Sequence, residues 1–187
     1  MTAELLASVR AAFEGVAVAR PFLAEWPEVG PLRDVQPASL PVCQWLSTMG
    51  KAGIMGALRE AAPSLRWQQT YGAGDFGADF LHGYGWSEFI GLRGPIPSTQ
   101  IACGVLLLGP HIIYPAHAHA AEEVYLPIFG QAEWQQGDGA FTRVPVGQPI
   151  HHAPWVPHAM RVGAEPLAAL YLWRGGDLAA KSVILGT

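Results

Sequence analysis

The chain has 187 residues, 50% of them hydrophobic and 14% charged, with a mean hydropathy of +0.20. A composition so far from that of disordered chains predicts one substantial core with an appendage rather than two full-sized domains. The formal charge of −4 and 11 scattered Lys and Arg residues offer no basic field to a phosphate backbone, and no apolar run approaches the roughly 20 residues that span a bilayer. Neither nucleic acid nor membrane is expected as a partner.

The opening MTAELLASVRAAFEG has no basic segment ahead of its apolar residues, which are helically spaced, so it does not read as a signal peptide and a cytoplasmic protein is expected. Leu5, Leu6, Val9, Phe13 and Val16 form one stripe at three- and four-residue spacing, and Trp45, Leu46, Met49, Ile54 and Leu58 form another. Pro21, Pro27, Pro31, Pro37 and Pro41 break the path between them, and Pro63 ends the last helix. Residues 1–63 are therefore read as a helical extension packed on a β domain of residues 64–187, covering one opening of it or forming a homodimer contact.

The Gly72–Gly77 run, with Asp75 and Asp79, follows a candidate strand, but no helix pattern follows it. It reads as a flexible loop near the mouth of the domain rather than a dinucleotide-binding turn. Beyond it, runs rich in Val, Ile, Tyr and Trp alternate with Gly- and Pro-containing turns: Thr99 to Leu108, Glu123 to Phe129, Gln131 to Gln135, Trp155 to Val162 and Leu167 to Trp173. Many short strands at this spacing predict an all-β sandwich or barrel. Cys43 and Cys103 lie in no C-x-x-C pattern and read as buried free thiols.

The chemistry concentrates in Tyr114-Pro-Ala-His117-Ala-His119-Ala-Ala-Glu122-Glu123-Val-Tyr125. If this were continuous strand, His117, His119, Glu123 and Tyr125 would share a face and Glu122 would oppose them. A turn between His119 and Glu123 would remove that argument and leave Glu122 as an alternative. Imidazole and carboxylate converging from one side suit a borderline divalent ion such as Zn, Fe, Mn, Co or Ni. His158, entering an apolar strand after Pro154-Trp-Val-Pro157, is the candidate ligand from a second strand. His151 and His152 are rivals for that role and otherwise read as a solvated or supporting pair.

The spacing H-x-H, three residues, E, six residues, G is met by His117, His119, Glu123 and Gly130, and it resembles the first cupin motif. The P-x-x-P-H element ending at His158 resembles the second. The match departs at its start, where seven residues rather than five separate Gly109 from His117. The resemblance implies a cupin double-stranded β-helix, a jelly-roll barrel that is mainly β, with the helical N-terminal extension attached.

More narrowly, Tyr114 to Tyr125 together with the helical N-terminus is similar to the cupin-type dimethylsulfoniopropionate lyases. That resemblance implies a metal-dependent carbon–sulfur lyase acting on a small sulfonium carboxylate and releasing dimethyl sulfide and acrylate. One divalent transition-metal ion is expected to be held by His117, His119, Glu123 and His158, of which the resemblance carries over His119, Glu123 and His158 as the family's ligands. His117 is the ligand about which members differ most. By position, Tyr125 matches the family tyrosine implicated in proton abstraction and Tyr114 matches a second one.

An unperturbed phenol is a poor base at neutral pH, and a nearby divalent cation is what would favour the phenolate. Trp134, Trp155, Tyr171 and Trp173 are candidate aromatic faces for the sulfonium. Two rival readings keep the barrel: an iron-dependent dioxygenase or isomerase using the same ligands, and a non-enzymatic small-molecule-binding cupin.

Overall fold

In the computed structural model, which describes residues 2–185, the aromatic and β-branched runs after residue 83 become strands that pair into two sheets. They are β1 Tyr84–Gly91, β2 Ile96–Pro97, β3 Ile101–Leu108, β4 Ile113–Ala118, β5 Glu122–Phe129, β6 Ala132–Gln136, β7 Thr142–Val144, β8 Ile150–His152, β9 His158–Val162, β10 Leu167–Arg174 and β11 Val183–Ile184. One sheet has the order β2-β1-β3-β10-β5-β8 and the other β11-β4-β9-β6-β7. From β3 to β6 and again from β7 to β11 consecutive strands fall in different sheets, and β10 closes between β3 and β5 while β9 closes between β4 and β6. This interleaving makes a jelly roll.

The six-stranded sheet is covered on both faces, which is why β3 reads as an unbroken apolar run. On one face Cys103, Val105, Leu107, Leu126, Leu170 and Leu172 share a core with Leu5, Val9, Phe13 and Leu58 of the helices. On the other face Leu106, Leu108, Tyr125, Ala169 and Tyr171 meet Trp134 and Met160 of the second sheet. The helical segment therefore lies against the outer face of the six-stranded sheet.

Helix α1, Ala3–Glu14, begins where Thr2 Oγ1 accepts the Leu5 N–H at 3.1 Å, and it buries Leu5, Leu6, Val9 and Phe13. Helix α2, Arg20–Ala24, has Pro21 in its first turn, where a missing N–H is harmless. The second apolar stripe is split between a 3₁₀ segment, Pro41–Thr48, and α3, Gly53–Ala61.

The glycine-rich run departs from the sequence reading. It is the start of a helix, α4 (Ala73–His82), kinked at Gly77 with φ 78°. The Asp75 carboxylate accepts the Gly72 N–H at 2.8 Å and closes the first turn. Phe76 and Phe80, one turn apart, pack on Tyr71, and Phe80 also stacks on Tyr84. Low glycine helix propensity hides the element in the sequence, and this aromatic anchoring overrides it.

Both cysteines are free thiols, Cys103 fully buried and Cys43 partly so. Among the described residues no helix is long and apolar enough to cross a membrane.

Phe13 is fully buried where α1 meets the sheet-backed core. Phe13→Ala is expected to lower unfolding free energy by about 3–5 kcal/mol, read from urea denaturation, because the rigid sheet behind it limits collapse of the cavity.

Candidate metal centre and cavity

The chain leaves β4 in one sheet and enters β5 in the other across residues 119–121, so the two halves of the H-x-H…E segment are not one strand. The alternation argument for Glu123 therefore does not hold, yet Glu123 is the inward carboxylate. It is 0% exposed, whereas Glu122 lies on the other side of β5 and binds Arg174 at 2.8 Å and His151 at 2.8 Å. His119 comes from the turn and His158 from the start of β9. Their Nε2 atoms lie 3.1 Å and 3.3 Å from Glu123 Oε2. Ligand atoms of His119, Glu123 and His158 all fall within 4.8 Å of one another.

The histidine tautomers are set by the backbone. His119 Nδ1 lies 2.9 Å from the Ala121 carbonyl and His158 Nδ1 lies 3.0 Å from the Val156 carbonyl. A carbonyl only accepts, so each Nδ1 carries a proton, and beside a bound metal each Nε2 would be free to offer its lone pair next to Glu123. Two lone pairs and a carboxylate facing one another need a cation between them, and His158 Nε2 has no hydrogen-bond partner among the described residues. Without an ion, burial would raise the Glu123 pKa, but hydrogen bonds and charge from His119 and then His158 hold it well below the usual carboxylate range, so the pocket favours positive charge beside this carboxylate. Burial opposes charge on His119, and the Glu123 contact nevertheless raises its pKa. This donor set fits a divalent transition-metal ion.

Cross-strand register builds the wall beside this group. In the six-stranded sheet Ala102, Trp173, Glu123 and His152 stand opposite one another on β3, β10, β5 and β8. One rung on, Glu88, Gly104, Tyr171 and Tyr125 do the same on β1, β3, β10 and β5. Directly opposed residues project to the same face, and these project inward. Of these, Glu88, Ala102, Glu123, Tyr125, Tyr171 and Trp173 line a cavity of about 300 Å³ that also receives Trp86, Tyr84, Tyr114 and Lys181. Trp173 Nε1 donates to Glu123 Oε1, and its ring lies 4.2 Å from that of His119.

With this geometry in place, comparison with known proteins is informative. The dimethylsulfoniopropionate lyase family model matches residues 19–169. The chain belongs to the dimethylsulfoniopropionate lyase family. It is 34% identical over 139 residues to the dimethylsulfoniopropionate lyase DddQ of Ruegeria pomeroyi, a match covering 74% of this chain and 69% of that one. It is 31% identical to the putative dimethylsulfoniopropionate lyase DddL of Cereibacter sphaeroides over 67% of this chain and 52% of that one, about half the relative's length.

Solved structures agree along almost the whole chain. A chain from the crystal structures of the DMSP lyases RdDddP and RnDddQII superposes with a TM-score of 0.87 at 31% identity, covering 98% of this chain and 96% of that one. The crystal structure of Ruegeria pomeroyi DddQ gives 0.80 at 29% identity, with 98% and 97% covered. The barrel is thus a cupin, as the two motifs imply.

Within this lyase-family barrel, the remaining sequence candidates separate. His117 lies beside the three-residue group rather than within it. Its ring is 4.1 Å from that of His158 and stacks at 4.1 Å on Tyr114, and its Nδ1 is 2.9 Å from the Pro115 carbonyl. Burial, then His158, holds its pKa well below the usual value. Tyr114 reaches the cavity because of a bulge: four residues on β4, Tyr114 to His117, oppose three on β9, Met160 to His158. The bulge spans Pro115 and cancels the parity difference.

His151 and His152 do not form a pair. His151 meets Glu122 near the surface, whereas His152 is fully buried and stacks at 4.0 Å on His158. Burial, then His158, pulls the His152 pKa down to about 3, so it is neutral. Tyr171 and Trp173 line the cavity. Trp134 is buried 6.3 Å from Tyr125, and Trp155 is exposed. The sequence did not single out Glu88 or Trp86. Their only signal is register opposite Gly104 and Leu106, which spacing along one strand does not carry.

The adjacent carboxylates differ sharply in setting. Glu123→Gln is expected to weaken retention of a divalent ion by more than the roughly 10–100-fold typical of losing a supporting residue. Glu122→Gln should stay within about threefold of wild type, with metal content after desalting as the readout.

Proposed function

We propose that the chain cleaves dimethylsulfoniopropionate to dimethyl sulfide and acrylate by β-elimination. In this reading His119, Glu123 and His158 hold one divalent ion and Tyr125 takes the α-proton. The observation that carries it is the adjacency of two inward rungs at one end of an aromatic-lined cavity. Glu123, faced by the imidazoles of His119 and His158, stands on one rung and Tyr125 on the next. Membership in the lyase family supports the substrate, which DddQ is named for cleaving.

An ion bound by these three side chains supplies the positive charge that holds the substrate carboxylate, stabilises charge developing on it and favours a phenolate nearby. Zn, Fe, Mn, Co and Ni all suit two imidazoles and one carboxylate. The protein residues do the rest. Tyr125 is buried, and burial followed by the Glu123 carboxylate pushes its phenol well above the ordinary value. It becomes a base only when the charge of Glu123 is offset.

The Tyr125 oxygen then removes the proton next to the carboxylate. The electrons of that C–H bond form the new C=C bond, and the β-carbon–sulfur bond breaks with its pair going to sulfur. Tyr125 is left as phenol and must return its proton to water. Tyr114, whose Oη is 3.1 Å from Tyr71 Oη, is assigned to positioning substrate. Burial, then Tyr84 and Tyr71, raises its pKa well above the ordinary value, which suits an O–H donor rather than a base. His117 is assigned to holding the orientation of Tyr114 and His158 by ring contact.

The test is headspace dimethyl sulfide from metal-loaded protein and dimethylsulfoniopropionate, under air and under nitrogen. Release should be equal in both and abolished by chelator. Tyr125→Phe should lose about 10²–10⁴-fold in kcat while retaining metal. No sulfide from folded, metal-loaded protein overturns the reaction. Fe(II)-dependent oxygen uptake would favour the oxygenase, and full activity in Tyr125→Phe removes the assigned base.

A further inference from the structure

The Tyr125 rung continues past the residues used above. Across β5, β10, β3 and β1 it runs Tyr125, Tyr171, Gly104, Glu88, and at about 4.8 Å per strand Glu88 stands some 14 Å along the sheet from Tyr125. Gly104 leaves a gap in this row, which Tyr171 fills by lying across it. A Cβ on Gly104 would meet Tyr171 Oη at 2.6 Å and would clash with the Ser87 carbonyl. The Tyr171 ring therefore spans the floor between the metal-binding end and Glu88. Burial is the largest influence on its phenol, and the Glu88 carboxylate is the strongest charge acting on it.

Glu88 is an unusual cavity residue. It is a carboxylate only 6% exposed. Its Oε1 accepts the backbone N–H groups of Arg93 and Gly94 at 2.5 Å and 2.7 Å. These amides fix the side chain, while Oε2 has no hydrogen-bond partner among the described residues. No cation lies within 4.0 Å of either oxygen among them. Two cationic side chains share the cavity, but both are engaged elsewhere. Arg93 donates to the carbonyls of Leu178 and Ala179 at 3.3 Å and 2.8 Å with its guanidinium 5.9 Å from the Trp86 ring centre, and Lys181 binds Asp75 at 2.9 Å.

From this arrangement we infer that Glu88, with the Tyr171 ring as floor, forms the subsite that recognises the cationic end of the substrate and selects onium acids over neutral ones. The inference rests on the proposed reading of the cavity as a sulfonium-acid site. In an extended three-carbon acid the cationic centre lies about 4 Å from the carboxylate carbon, close to one strand spacing. A carboxylate held at the Glu123 end thus sets the cation over Tyr171, on the side facing Glu88. An aromatic face and a fixed, half-satisfied carboxylate both favour a poorly hydrated cation there. The charges of the cavity then alternate with those of the zwitterion.

The test reads charge preference rather than turnover. Binding of 3-(trimethylammonio)propanoate and of its neutral isostere 4,4-dimethylpentanoate to metal-loaded protein is measured by calorimetry. Wild type is expected to prefer the cation by about tenfold or more, the modest end for a partly screened charge pair. Glu88→Gln keeps an acceptor for the two amides and removes only the charge, so its preference should fall to about twofold. Glu88→Asp draws the charge back by one methylene, gives an intermediate preference, and decides the matter if the glutamine variant does not fold. Equal binding of both probes by wild type, or an undiminished preference in either variant, overturns the subsite. Sulfide release from the same preparations separates the two readings: release with an unaltered preference defeats this subsite alone, and absent release defeats the reaction while the binding ratio still reports on Glu88.

Discussion

Glu123 is a carboxylate with no solvent exposure inside an apolar barrel, and an uncompensated charge there would cost several kcal/mol. The surrounding structure is arranged around that cost. Trp173 donates to one oxygen, and the imidazoles of His119 and His158 face the other. Their Nδ1 protons are committed to carbonyls of neighbouring loop residues, so the loops as much as the strands determine what Glu123 meets.

The 153–157 turn supplies one of those carbonyls, from Val156, and ties the two ligand segments together. The Trp155 N–H donates to the His119 carbonyl at 2.8 Å. Trp155 does so from a left-handed conformation, φ 63°, which costs a non-glycine residue about 1–2 kcal/mol. Strain at this point is consistent with a turn selected for where it places His119 and His158 rather than for its own stability.

The sequence carried the residues of the candidate centre better than the reason for their grouping. Motif spacing identified His119, Glu123 and His158, but the alternation offered for Glu123 assumed a strand that the 119–121 turn interrupts. The inward carboxylate followed from a pattern whose physical basis is a change of sheet. The strands β3, β5, β6, β9 and β10 were legible because their texture is local. Helix α4 was not, since Gly72, Gly74 and Gly77 mask it and its stability comes from Phe76 and Phe80 against Tyr71 and Tyr84. Glu88 was equally hidden, and so was which of His151 and His152 turns inward. Both depend on which residue of another strand stands opposite, and register between strands distant in sequence is not written in either one.

That register also explains how one sheet serves stability and chemistry together. Its outer face is paired with the N-terminal helices in an almost wholly apolar core, so folding does not depend on burying the inner face in the same way. The inner face can then carry Glu88, Tyr171, Tyr125 and Glu123, groups that a single-core barrel would have to fill with aliphatic side chains. The arrangement has a chemical corollary for Tyr125. The same burial and the same carboxylate that define the site keep its phenol protonated when Glu123 is uncompensated. A base whose proton is released only on neutralisation of its neighbour is silent without the ion and active with it. In the proposed reaction, metal binding and proton abstraction are therefore one electrostatic condition rather than two independent requirements.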